Sequence, residues 1–413
     1  MQKRQAGLGF IFVTLFLDIL GLGLIVPILP KFIETFTNNN IESASTVYGL
    51  LVAAYALMQF LFSPVLGSLS DQYGRRTVIL ISLLGAGIDY LVLAAAPNLW
   101  WLFVGRIISG VTSANITAAT AYIADISPPE QRAKNYGLVG MAFGLGFILG
   151  PALGGLLGSY SLRLPFIVVA GITLLNALYG YFILPESLKP ENRRPFSWAR
   201  ANPVGSLKVI NSYPIVFALA IVIVLAALAQ NILHAIWVLY TGYRYGWGPR
   251  DVGVSLAIVG LATALVQGGL IGPIVKKIGE QRAVLIGLSV NAIAFTLYGL
   301  APYPWLFYVI PFFGAFGALA QPSAQAIITK NIKANEQGTI QGAIVSLTSL
   351  TSIIAPLIAT NVFRYFISDA APFLLPGASF FVAAFLLVLA VSYAIRTFAR
   401  FSAFTDMAMS GGR

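Results

Sequence analysis

Twelve apolar runs, each about 18 residues or longer, follow one another along a chain of only 413 residues. A helix of that length spans most of the hydrocarbon core of a bilayer, so the repetition leaves few folds open. The runs lie at roughly 8–31, 46–69, 78–96, 99–123, 135–158, 164–184, 213–241, 252–275, 283–301, 303–329, 338–363 and 373–396. At 58% hydrophobic and 9% charged residues, the chain has too little polar surface for a water-soluble domain of this size. In lipid, each span has to satisfy its own backbone hydrogen bonds, so every run is expected to be a helix. The expected fold class is all-α: an integral membrane protein with twelve transmembrane helices.

The net charge of +11 is a topology signal. If both termini lie on one side, 19 of the 25 Lys and Arg residues fall on that side. Five (Lys31, Arg163, Arg244, Arg250 and Arg364) fall on the other, and Arg106 lies inside a span. The excess of cations marks the cytoplasmic face, so both termini are expected there, in a multi-pass protein of the inner (cytoplasmic) membrane. A nucleic-acid partner is not expected. The first residues resemble the start of a signal peptide, but the run behind them is too long and carries Pro27 and Pro30; it reads as a retained first span. With no cysteine, disulfides, Cys-zinc sites and iron–sulfur clusters are excluded. One histidine and two buried acids are too few for a membrane enzyme or a metal site. No phosphate-binding GxxxxGK[ST] segment is present, so no cofactor is expected and a proton gradient is the energy source left.

The chain is also expected to be double. The turn Gly67-Ser-Leu-Ser-Asp71-Gln-Tyr-Gly74-Arg75-Arg76 follows the second run, and Gly272-Pro-Ile-Val-Lys276-Lys277-Ile-Gly279-Glu280-Gln-Arg282 follows the eighth. Residues 185–212, with four prolines and five basic residues, are the only long non-apolar interior stretch. They read as a semi-rigid linker, with a short surface helix near Trp198. The expected domains are a six-helix bundle at 1–184, the linker at 185–212, and a second six-helix bundle with a short tail at 213–413. Two pseudo-symmetric bundles are a transporter plan, and the protein is expected to work as a monomer on a small-molecule substrate.

Within that plan the chain resembles the tetracycline-resistance efflux branch of the major facilitator superfamily. The resemblance rests on Leu17-Asp18-Ile-Leu-Gly21-Leu-Gly23 through Pro30, Tyr55-Ala-Leu-Met-Gln59, Gly105-Arg106-Ile-Ile-Ser-Gly110, and Gly146-Phe-Ile-Leu-Gly150-Pro151-Ala-Leu-Gly154-Gly155. In the second half it rests on Gln337-Gly338-Thr-Ile-Gln341-Gly342 and Ser346-Leu-Thr-Ser-Leu-Thr-Ser352. It implies proton-coupled export of an amphipathic compound by alternating access. The alternative on the same fold is a facilitator or importer of a metabolite, vitamin or siderophore-like solute.

Of 14 carboxylates, only Asp18 and Asp89 lie deep inside runs. A carboxylate at mid-bilayer costs about 2.5–3.5 kcal/mol, so it has a partner or a task, and both acids are candidates for proton coupling. Asp89 and Arg106 flank the turn at Pro97-Asn98 at nearly equal distance, which places them at similar depth on antiparallel helices and able to pair. Candidate substrate-binding residues of the first half are Gln59, Arg106, Asn115 and Thr117. Those of the second half are Gln230, Asn231, His234, Trp237, Tyr240, Asn291, Gln321 and Gln325. Amides and aromatics with few charges suit an amphipathic organic molecule.

The resemblance implies a conformational latch of Gly67, Asp71, Gly74, Arg75, Arg76 and Asp125, bracing the first half against the eleventh helix. It also implies that the helix-5 stripe of Gly146, Gly150, Pro151 and Gly154 belongs to antiporters. Thr263 and Asn291 stand where the branch carries a histidine and an acid. Coupling is therefore expected to rest on the first half.

Overall fold

The computed structural model describes residues 2–112, 115–128, 132–196, 213–332 and 337–410, and among them every regular element is helical. The expected surface helix near Trp198 lies outside the described residues. Among the described residues twelve helices are long and apolar enough to cross a membrane. They are α1 (Gln2–Ile25), α2 (Ile41–Tyr73), α3 (Arg75–Ala95), α4 (Leu99–Ile126), α5 (Arg132–Tyr160) and α6 (Leu164–Ile183). The second six are α7 (Pro214–Tyr245), α8 (Pro249–Ile278), α9 (Glu280–Leu300), α10 (Leu306–Lys330), α11 (Gln337–Ile367) and α12 (Ala378–Ser410).

Local chemistry sets the ends. The first apolar run splits: α1 stops at Ile25, and a six-residue helix, Leu29–Glu34, follows with Pro30 in its first turn. Pro27 brings no N–H to continue α1, whereas proline is tolerated at a helix start. Asn38 and Asn39 adopt positive φ, and the Asn40 side chain accepts the Ser43 N–H at 2.8 Å to cap α2. At Gly74 (φ 101°) and Gly279 (φ 81°), 205 residues apart, one residue ends a helix and starts the next. Both backbones lie where a side chain is strained, so the repeated glycine has a geometric cause.

Side-chain distribution is inverted relative to a soluble bundle. On α6 the exposed residues Leu175, Leu178, Tyr179 and Phe182 form one apolar face. The opposite face buries Thr173 and Asn176, and Asn176 donates to Thr14 of α1 at 3.1 Å. Apolar outside and polar inside is stable when the surrounding solvent is lipid.

Contacts divide the chain into two units. One comprises Met1–Asn202 with Thr241–Gly260, the other Pro203–Tyr240 with Leu261–Arg413. In the first, α1 packs on α5, α2 on α4, and α3 on both α4 and α6. In the second, α9 packs on both α10 and α12. The third helix of each six thus meets the fourth and sixth in both units. A π-helical turn at Val266–Leu270 interrupts α8 and a 3₁₀ turn at Ala315–Leu319 interrupts α10, whereas α2, α5 and α11 run on through Pro64, Pro151 and Pro356.

Candidate functional site

Both embedded acids lie in the first unit. Asp89 on α3 is fully buried, and Arg106 of α4 donates from Nη2 to its Oδ2 at 2.6 Å. The close α3–α4 approach depends on Gly105, where a Cβ would lie 2.6 Å from Asp89 Oδ1. The Arg106 guanidinium also stands 5.7 Å from the centre of the Tyr55 ring on α2. One turn along α2, Gln59 donates to the Tyr55 hydroxyl at 3.5 Å. Asp18 on α1 is half-buried. Tyr90, next to Asp89, is buried, and its hydroxyl oxygen lies 3.1 Å from the place a Cβ would take on Gly21 of α1. Sequence reasoning named neither Tyr55 nor Tyr90 as a site residue, although Tyr55 opens a quoted motif and Tyr90 follows Asp89. Thr117 is exposed and approaches Gly67, where a Cβ would meet its methyl at 3.8 Å. The Asn115 side chain lies outside the described residues.

At the α2–α3 turn, Arg75 pairs through Nη1 with Asp71 at 2.6 Å and through Nε with Asp125 at 3.2 Å. It also donates to Ser70 Oγ at 3.1 Å. The residue that sequence reasoning missed is Glu186, just past α6. Its Oε1 accepts the N–H groups of Arg75 (2.9 Å), Ser187 (3.0 Å) and Leu188 (3.0 Å), and its Oε2 accepts that of Arg76 (3.3 Å). A Cβ at Gly74 would collide with this carboxylate. Further bonds hold the segment behind it. Ser187 donates to Asp125 at 3.0 Å, Arg194 N–H to the Asp71 carbonyl at 3.1 Å, and Phe196 N–H to Gln72 at 3.2 Å. Arg76 donates to the Tyr181 carbonyl and lies over the Tyr181 ring.

A carboxylate at a helix start satisfies donors that have no helical partner and meets the positive end of the dipole. Glu186→Ala is accordingly expected to cost about 1–2 kcal/mol, with Glu186→Gln recovering part of it. Trypsin should cleave faster after the exposed Arg193 in the alanine variant. Unchanged cleavage and unchanged thermal unfolding would show that the segment is held without Glu186.

The small residues of α5 divide between two faces. A Cβ at Gly146 would meet Ile19 at 2.6 Å, at Gly150 the Gly23 Cα at 2.8 Å, and at Gly154 the Leu24 carbonyl, so the predicted stripe packs α5 on α1. The adjacent face meets the start of α8. A Cβ at Gly155 would collide with the Pro249 carbonyl and come within 3.0 Å of the Gly253 Cα. One at Gly253 would strike the carbonyl of Pro151.

In the second unit, Gln230 Nε2 and His234 Nε2 are 3.0 Å apart on consecutive turns of α7, with His234 exposed. Asn231 donates to Thr351 at 2.9 Å and Ser352 at 3.3 Å, tying α7 to α11. Gln325 accepts from Gln341 at 2.8 Å, and Gln321 is exposed. Trp237 and Tyr240 are buried in an aromatic cluster with Tyr298, Phe307 and Phe380, at centroid distances from 4.9 Å. Their rings are filled by packing. Asn291 lies directly over Gly317, in the 3₁₀ turn of α10, where a Cβ would collide with its amide. Thr263 is half-buried on α8. Among the described residues no three His, Cys, Asp or Glu side chains converge as a metal site would require.

The family model of the Major Facilitator Superfamily matches residues 11–356 and, overlapping them, 219–403. The tetracycline resistance protein of class C from Escherichia coli is 41% identical over 362 residues, covering 88% of this chain and 91% of that protein. Multidrug resistance protein 2 of Bacillus subtilis is 30% identical over 88% of this chain and 90% of its own length. A bacterial homolog of the human lysosomal transporter Spinster, solved inward-facing and unoccupied, superposes with a TM-score of 0.76. It is 18% identical, and the match covers 96% of this chain and 98% of that one. Twelve spans, a turn repeated at half-length, a family match across both halves and relatives of nearly equal length leave one assignment: the chain belongs to the Major Facilitator Superfamily, in company with the tetracycline resistance proteins.

Proposed function

We propose that this protein exports an amphipathic organic compound, a tetracycline or another drug of that character, in exchange for protons. It does so by alternating access between halves at 1–184 and 213–413, as a monomer with both termini in the cytoplasm. The observation that carries this reading is the Asp89–Arg106 pair buried inside the spans of the first six helices. An ion pair buried inside a span has two states that a proton can choose between: Asp89 ionised and held by Arg106, or Asp89 protonated and released from it. Relatives named for tetracycline and multidrug resistance supply the substrate class. One elementary charge moving inward across 100 mV contributes about 2.3 kcal/mol, enough for roughly a 40-fold concentration ratio. The Arg75 cluster with Asp71 and Asp125 serves as the latch between states. In the first half Gln59 and Arg106 are the substrate-binding residues of this reading; in the second half they are Gln230, His234, Asn291, Gln321 and Gln325.

A facilitator or importer is the second reading. Asn291 favours it, because a neutral amide stands where the efflux branch carries an acid.

The two readings separate in energised everted vesicles loaded with an acridine dye, to which tetracyclines and other amphipathic drugs are added one at a time. Export by antiport gives drug-dependent recovery of fluorescence that is lost in Asp18→Asn and in Asp89→Asn. Downhill drug flux that survives both substitutions, without any fluorescence recovery in the wild type, would establish the facilitator instead.

A further inference from the structure

The three charges of the Arg75 cluster have counterparts in the second half, and every sign is exchanged. Asp71, Arg75 and Asp125 read acid, base, acid; 205 residues on, Lys276, Glu280 and Lys330 read base, acid, base. The same offset joins Gly74 to Gly279, whose backbones agree at ψ 155° and 159°. Asp71 and Lys276 lie in the last turns of α2 and α8, and Arg75 and Glu280 open α3 and α9. Asp125 and Lys330 lie in the last turns of α4 and α10. An ion pair closes each copy: Arg75 with Asp125 at 3.2 Å, and Lys330 Nζ with Glu280 Oε1 at 2.6 Å.

A helix favours acids at its start and bases at its end. The second triad obeys this at all three positions, and the first opposes it at all three. In the first half the Glu186 carboxylate compensates, meeting the N–H groups of Arg75 and Arg76. At Gly279 a Cβ would meet nothing within 4 Å, and Glu280 and Lys330 line a cavity of about 510 Å³ there. The Lys330 side chain is 67% exposed, against 12% for Arg75, so the second pair has the strength of a surface ion pair.

We propose that Glu280 and Lys330, with Lys276 across the Gly279 turn, are a second latch. It is the first latch with its charges inverted, held by helix dipoles in place of Glu186. This rests on the alternating-access reading above. Closed, it ties the start of α9 to the end of α10; open, it lets those ends part.

The test compares wild type with Glu280→Lys, Lys330→Glu and the double exchange, which again sets one acid against one base. Tetracycline-dependent dye recovery in everted vesicles is read per amount of folded protein. Each single variant should lower it about two- to fivefold, as loss of an exposed ion pair allows, and the double should transport better than either. Charges that serve only the helix dipoles act independently, so a double variant worse than both singles overturns the proposal. Charges that serve only topology leave Glu280→Lys, which adds a cation, at wild-type activity, and that result overturns it too. Spin labels at Gln281→Cys and Asn331→Cys, both exposed and each next to one partner, report the gap without any substrate. They should move apart in both single variants and return in the double; labels that stay in place in the singles overturn the latch. A wild type with no drug-dependent signal overturns the functional reading, and the label distances then decide the latch alone. Should Glu280→Lys fail to fold, Glu280→Gln, which removes the charge without setting two cations together, takes its place in both measurements.

Discussion

Asp89→Ala is expected to destabilise the purified protein by about 3–5 kcal/mol, because it strands a guanidinium inside the bundle. Arg106 is 93% shielded from solvent at its side chain, and its partner is completely buried. The opposite truncation, Arg106→Ala, should cost less, although it breaks the same bond. A stranded carboxylate can take up a proton, while a stranded guanidinium cannot give one up. The Tyr55 ring offsets part of the Asp89→Ala penalty, by about 0.5–2 kcal/mol, so adding Tyr55→Ala to Asp89→Ala should lower stability further. Combining Asp89→Leu with Arg106→Leu should recover most of the stability, since a buried pair replaced by apolar groups is often neutral. It should recover none of the proton coupling. Unfolding of the four proteins in mixed detergent micelles measures the cycle. Equal costs for the two single truncations, or a double variant as unstable as Asp89→Ala, would show that the pair is not isolated from water as its burial implies.

That pair was legible in the sequence for a simple reason. A hairpin with its turn at 97–98 puts residues equally far along its two arms at equal depth, and each arm carries one charge deep in its span. The spans were legible because the bilayer demands a fixed apolar length, although the first run hid a break that only the backbone chemistry of Pro27 explains. Glu186 was invisible. Nothing in its neighbourhood announces that its carboxylate reaches amides 110 and 111 residues earlier in the chain. Position within a span also says little about which way a side chain points. Trp237 and Tyr240 have the composition of a ligand site but pack against Tyr298, Phe307 and Phe380. Asn231 looks like a ligand amide and binds α11. The stripe of Gly146, Gly150, Pro151 and Gly154 leaves Gly155 out. That Gly155 faces α8 while Gly154 faces α1 turns on the roughly 100° step between them, which spacing alone does not resolve.

The division of α5 leads to the second large effect: Gly154→Val and Gly155→Val should fail in different ways. At Gly154 the added carbon meets the Leu24 backbone of α1, with Leu24 C and Cα both 2.7 Å away. Backbone cannot rotate aside, so the α1–α5 pair has to part and folded yield should collapse. At Gly155 the obstacle is the start of α8, again backbone, at Pro249 and Gly253. This contact lies at the end of α5 away from the Arg75 cluster. The fold of the first six helices does not depend on it, whereas its opening and closing is a motion that alternating access requires. Overpacking costs about 1–3 kcal/mol, and a backbone obstacle belongs at the upper end, which shifts an open–closed equilibrium roughly a hundredfold. Gly155→Val should therefore reach the membrane in normal amount and transport poorly, held with α5 and α8 apart. The chain has no cysteine, so a spin-label pair can be placed without background. Tyr160→Cys and Arg250→Cys are suitable sites, both exposed and flanking the contact. In the Gly155→Val background the distance between the labels should lengthen. An unchanged distance with transport still lost would mean that Gly155 acts within α5 and that the α5–α8 contact is not a gate.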